Sequence, residues 1–258
     1  MNLGLLTAAS SDIVLRHMAE KFDIDSLFTA GAHFGYSRTR RHPSATNYIF
    51  GTKDRTDIFD LVQTESRLAA ACALVESLAQ KGAQVLFVGG KNESLQIVQQ
   101  MAVRAGLPFS ASRWIGGTLT NFKNIRKRIN RLEKLMAERE SGELEKYTKK
   151  ERLLLDREID ELQARFGGLV SLHDMPAAIF IVDTRHEHTA VMEANQLGIP
   201  VIGLLSSDCD FALAQYPIPA NDTSVRSVKL VVEAIGNAYM QGKRLFSASQ
   251  ATPAVPNA

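Results

Sequence analysis

The chain has 258 residues, of which 45% are hydrophobic and 22% charged, with 17 glycines and 8 prolines. That composition supports a sizeable packed core in one or two domains and excludes disorder as a description of the whole chain. Lys and Arg total 30 against 28 Asp and Glu, a net charge of +2, so the total names no partner and the distribution of charge has to be followed along the chain.

Cys72 and Cys209 are the two cysteines. They lie far apart and form no CxxC pair, which excludes a disulfide scaffold and a zinc ribbon and points to a reducing compartment. No run approaches the roughly 18 apolar residues of a membrane span. The N-terminus lacks a basic segment followed by an apolar block, and Met1 to Phe22 contains Asp12 and Glu20, which disfavours a transit peptide. The expected location is the cytosol or an organelle interior, with no membrane partner.

In chain order, Leu68, Cys72, Val75 and Leu78 recur at spacings of three and four and end at Gly82, predicting a helix. Ala83 to Val88 is a continuous apolar, β-branched run stopped by Gly89-Gly90, predicting a buried strand. Asn92 is the expected cap of a helix with Ile97, Val98, Met101 and Ala105 inward, closed by Gly106 and Pro108. Ile125, Ile129, Leu132 and Met136, then Leu155, Ile159, Leu162 and Phe166, form two narrow apolar seams on either side of Ser141-Gly142. They predict an antiparallel coiled-coil hairpin standing clear of the core, the alternative being two helices lying flat upon it. Ala178 to Val182 reads as a strand, Ala190, Val191, Ala194 and Leu197 as a helix stopped by Gly198, and Ile199 to Leu204 as the next strand. A last helix spans 222 to 240, with Asp222 as its candidate cap, and the uncharged residues 247 to 258 are expected to be a disordered tail. Continuous apolar strands alternating with helices imply a parallel sheet covered on both faces.

Charge divides the chain sharply. Residues 104 to 134 hold eight basic residues against Glu133 alone, a net +7, whereas residues 174 to 240 hold three basic and eight acidic residues, a net −5. A polyanion-facing side accounts for the asymmetry; solvated helix faces are the competing account. Arg113-Trp114-Ile115-Gly116-Gly117-Thr118-Leu119-Thr120-Asn121-Phe122-Lys123 joins the only tryptophan to paired glycines and to Arg126, Lys127, Arg128 and Arg131. Arg38, Arg40 and Arg41 add a basic loop. Cationic groups bind phosphates, hydroxyls and amides add hydrogen bonds, and paired glycines allow close backbone approach. Two readings of Trp114 stay open: stacking on a base, or a packing anchor beneath the hairpin.

The competing chemistry is thinner. Gly89-Gly90-Lys91 lies where a doubly wound fold places a phosphate, but there is neither GxGxxG nor GxxxxGK[ST]. A nucleotide- or phosphosugar-binding α/β enzyme therefore lacks its fingerprint. On a helix, His186 and His188 point about 200° apart and cannot share a metal ion. Asp183 reads as a strand-end cap, and Cys209 between Asp208 and Asp210 is expected to have its thiolate suppressed. No catalytic, metal or cofactor site is expected.

Several motifs together resemble one family. His33-Phe34-Gly35 with Arg41, Pro43, Tyr48-Ile49-Phe50-Gly51 and Ile58-Phe59-Asp60-Leu61, then the Arg113 to Phe122 block, are similar to bacterial-type small-subunit ribosomal protein number two. Tyr147-Thr148-Lys149-Lys150-Glu151, Val182-Asp183-Thr184 with Glu187-His188, Leu197 to Val201, and Tyr216-Pro217-Ile218-Pro219 with Asn221-Asp222 continue the match in the same order over residues 25 to 240. The resemblance implies a flavodoxin-like α/β domain (25–122 and 167–246), a coiled-coil hairpin insertion (123–166) and an N-terminal extension (1–24). It implies a non-catalytic constituent of the small ribosomal subunit in a cytoplasmic or organellar ribosome, partnered by rRNA and neighbouring ribosomal proteins, ribosomal protein number one among the candidates, with no homo-oligomer. The rRNA-facing positions it implies are Arg38, Arg40, Arg41, Arg113, Trp114, Thr118, Asn121, Lys123, Arg126, Lys127, Arg128 and Arg131. His33 and Asp183 match its motifs as structural residues. The chain departs from the family pattern at Tyr36 for a histidine, Arg41 or His42 for a tryptophan, and Ala220 for a glycine.

Overall fold

The structure, a computed structural model, describes residues 23–251. Asp23 accepts a hydrogen bond from the Asp25 amide and starts a short helix, α1 (Ile24–Thr29). Strands β1 (Phe34–Ser37), β2 (Ile49–Lys53) and β3 (Thr56–Phe59) then form an antiparallel sheet in the order β1-β3-β2. The β2-β3 turn places Asp54 and Arg55 both at positive φ, as a tight hairpin with right-handed twist requires. This sheet has no counterpart among the predicted elements, because its strands are four or five residues long, bury only Asp57 and Phe59 and leave Phe34 and Phe50 exposed, so no apolar alternation marks them.

Helix α2 (Leu61–Gln80), capped by Asp60, leads into a doubly wound domain. Strands β4 (Val85–Val88), β5 (Phe109–Ser110), β6 (Ala178–Val182), β7 (Val201–Leu205) and β8 (Tyr216–Pro219) make one parallel sheet ordered β5-β4-β6-β7-β8. Helices α3 (Asn92–Ala105), α6 (His188–Gln196) and α7 (Val225–Ala251) are interleaved with them. Every residue of β4, β6 and β7 is buried, which is why these runs are apolar without alternation. The pleat nevertheless sorts them: Val85, Phe87 and Phe180 join the core beneath α2, α3 and α7, while Leu86, Val88, Ile179 and Ile181 join the core on the other face.

Between β5 and β6 the chain runs out and back through α4 (Phe122–Glu140) and α5 (Lys149–Phe166). Gly142 at φ +78 turns the chain, and Thr148 and Glu151 form a reciprocal capping box at the start of α5. Ile125, Ile129, Leu132 and Leu135 of α4 are buried with Ile159 and Phe166 of α5, and Arg131 reaches Glu158 across the pair. The buried seam runs on into the core on that face of the sheet.

Several boundaries differ from the sequence expectation, β4 and β7 each beginning two residues later than read. Asn92 is the first helical residue of α3 rather than its cap, a place taken by Lys91. Asp222 does not cap α7: Asn221 accepts the amides of Thr223 and Ser224, leaving Asp222 to bind Lys91. Helix α7 continues through 247–251, assigned to the tail, because neither glycine nor proline interrupts the chain between Gly242 and Pro253. At the other end α1 already begins at Ile24, inside the predicted extension. The rest of that extension, 1–22, and the tail residues 252–258 lie outside the described residues.

Candidate nucleic-acid interface

Residues 111–121 leave β5 and enter α4, and they are wound around one carboxylate. Glu193, buried on α6, accepts from the Trp114 indole N–H (3.1 Å) and the Gly117 amide (2.8 Å) on Oε1. On Oε2 it accepts from the amides of Leu119 (3.0 Å) and Thr120 (3.1 Å) and from the Thr120 hydroxyl (3.1 Å). Burial pushes the Glu193 pKa up, but these hydrogen bonds outweigh it and hold the carboxyl below its ordinary value. Gly117, at φ +88, makes the turn that brings its own amide inward. The Thr118 hydroxyl donates to the Ile115 carbonyl at 2.6 Å.

Trp114 is only 8% exposed and packs in the core beneath α4. Of the two sequence readings, the packing anchor is the one its position matches. Thr118 is likewise interior. What the loop leaves outside is a groove of about 1080 Å³ between residues 112–116 and the near ends of α4 and α5. Arg113, Asn121, Asn124, Lys127, Arg128 and Arg165 line it. Arg113, Lys127 and Arg128 are exposed, as is Lys123 one turn earlier on α4, and among the described residues these four form no ion pair.

The remaining predicted cations are differently employed. Arg126 donates to the carbonyls of Val170 (3.0 Å) and Leu172 (3.4 Å) and pairs with Glu133, tying α4 to the segment before β6. Arg131 pairs with Glu158. Arg41 forks onto the buried carboxylate of Asp57 and also reaches Thr52. Arg38 and Arg40 are exposed, away from the groove; Arg40 borders a separate pocket of about 430 Å³ with Arg185 and His188.

The crevice between β4 and β6, where the strand order reverses and doubly wound proteins place ligands, is occupied by the chain itself. Lys91 Nζ lies 2.8 Å from Asp222, 3.3 Å from Asp183 and 3.3 Å from the Tyr36 hydroxyl. Burial disfavours the Lys91 charge, but the hydrogen bond and attraction to Asp222, with Asp183 behind, raise its pKa above the ordinary value. Glu187 accepts the Gly90 amide at 3.0 Å, and a Cβ on Gly90 would stand 2.7 Å from that carboxylate. Asp183, at φ +64, accepts the amides of Arg185 and His186, as a strand-end cap. Burial, reinforced by Asp183, pushes the Cys209 thiol up to about 12. Among the described residues, no three His, Cys, Asp or Glu side chains come together to hold an ion.

The departures are thereby accounted for locally. Tyr36 supplies a hydroxyl to Lys91, Arg41 satisfies Asp57, and Ala220 is buried without the positive φ that would demand glycine.

Fold and site together define a doubly wound α/β protein that offers, at the base of a helix pair, a groove lined by the exposed cations Arg113, Lys127 and Arg128, with Arg165 paired to Glu161, and that keeps its sheet crevice closed. A family model for ribosomal protein S2 matches residues 27–242. The chain is 38% identical over 224 residues to the small ribosomal subunit protein uS2 of Chlorobium chlorochromatii, covering 87% of this chain and 89% of that one. It is 40% identical to the proteins of the same name from Microcystis aeruginosa (84% and 82% covered) and Acidothermus cellulolyticus (89% and 84%). The chain belongs to the ribosomal protein S2 family.

Proposed function

We propose that this protein is a structural, non-catalytic constituent of the small ribosomal subunit in a cytoplasmic ribosome, and that it holds rRNA through the groove at the base of α4 and α5. The observation that carries the proposal is the set of exposed cations Arg113, Lys127 and Arg128, none of them in an ion pair among the described residues, which line the groove with Asn121 and Asn124, with Lys123 exposed one turn earlier on α4. Unpaired guanidinium and ammonium groups gain most from phosphate, because no internal carboxylate has to be displaced. Arg38 and Arg40 supply a second basic point for rRNA or for a neighbouring ribosomal protein, ribosomal protein number one where the organism has it.

Tagged protein run through a high-salt sucrose gradient is expected to sediment with small subunits. Protein remaining at the top of the gradient overturns the proposal and favours a free RNA-binding regulator or an enzyme.

A further inference from the structure

The buried side of the 114–120 loop carries one more assignment, which rests on the rRNA-binding proposal above. Five donors from four residues converge on the two oxygens of Glu193, and none of them is a cation. Three are backbone amides, which in an open loop would face solvent or an external anion. Here an acidic side chain from α6, more than seventy residues distant in sequence, fills that anion-binding concavity from within. The loop it fixes begins at Arg113, on one wall of the groove, and ends at Asn121, where α4 starts and carries Lys127 and Arg128 to the other wall.

We infer that Glu193 is a positioning residue for RNA binding: its carboxylate sets the conformation of residues 114–120 and so the spacing between Arg113 and the cations of α4. It touches no RNA itself, being buried beneath the loop. Its action is through a rigid constellation, since phosphate contacts made by groups held at fixed separation lose less entropy on binding than the same groups on a mobile loop.

The protein supplies its own probe, because Trp114 is the only tryptophan in the chain and donates directly to Glu193. The substitution Glu193→Gln keeps size but turns an NH2 group toward donors, leaving two or three of the five bonds unmade. In the full-length chain, E193Q is expected to raise acrylamide quenching of Trp114 while far-ultraviolet circular dichroism still shows one cooperative urea transition. Binding to small-subunit rRNA should weaken about tenfold, with the slope of log affinity against log salt reduced by about one. Raised quenching with rRNA affinity and salt slope unchanged overturns the inference. Wild-type protein that shows no salt-dependent rRNA binding sinks the underlying proposal instead, and is recognised before any variant is made. If E193Q does not fold, Thr120→Val removes one bond at the loop surface. It should raise quenching and weaken binding about two- to threefold, and unchanged binding in that variant overturns the inference equally.

Discussion

At the scale of single residues, the informative groups are those whose charge is spent inside the protein. Arg41, Arg126 and Arg131 look identical to Lys127 and Arg128 in sequence, yet each has a carboxylate partner. Glu133 lies two turns from Arg126 along one face of α4, but Asp57 and Glu158 stand 16 and 27 positions from Arg41 and Arg131, separations that no helical or strand period announces. Asp222 is the clearest titratable case. Its side chain is wholly buried, and desolvation, opposed by Lys91 and reinforced by Asp183, pushes its pKa up to about 6. A carboxyl whose folded value is raised contributes stability at low pH and loses that contribution as pH rises through the folded value. Wild-type stability should therefore fall between about pH 4 and about pH 6 through this group. Asp222→Asn is expected to flatten that part of the profile, which urea midpoints measured across the window would check. A D222N profile as steep as that of the wild type would assign the dependence elsewhere.

At the scale of elements, two contacts decide how the helices sit. Gly242 on α7 lies so close to α2 that a Cβ there would fall on the Glu76 carbonyl oxygen and stand 2.7 Å from the Ala79 Cβ. Backbone cannot yield as a flexible side chain can, so Gly242→Ala should cost about 1–3 kcal/mol, read as a lowered urea midpoint with an unchanged slope. The α4–α5 pair, proposed as a separate insertion, buries Ile129, Leu132, Leu135 and Ile159 largely against each other. Replacing residues 127 to 162 by a short flexible linker is expected to leave a cooperatively unfolding α/β domain, because Ile125, Arg126 and Phe166 remain to close its base. A molten product would show that the pair belongs to the domain core.

At the scale of the whole molecule, the division is between a cationic groove outside and a crevice closed by Lys91, Asp183, Asp222 and Glu187. Replacing Arg113, Lys127 and Arg128 together by alanine should weaken rRNA binding across RNA sequences and lower the salt slope by about three. The triple variant should also reduce occupancy in purified small subunits. His186→Ala and His188→Ala, which change no group of the groove, should incorporate like the wild type. The reverse pattern would move the RNA face to the strand ends around Arg185 and His188.

The sequence by itself determined three of the five strands of the parallel sheet, most of the helices around them and the family, whereas β5 and β8 carry no apolar run that marks them. Continuous apolar strands, three-and-four spacing and ordered motifs are local signals, and local signals survive without coordinates. It also located the basic stretch between 104 and 134, because charge is additive along a chain. Only the tertiary structure decided which of those charges are free, that Trp114 faces inward, and that the loop within the Arg113 to Phe122 block is wrapped around Glu193. Those outcomes depend on which distant residues the sheet order and the α6 crossover bring within hydrogen-bond distance. A carboxylate seventy or more positions away leaves no periodic mark on the segment it will hold.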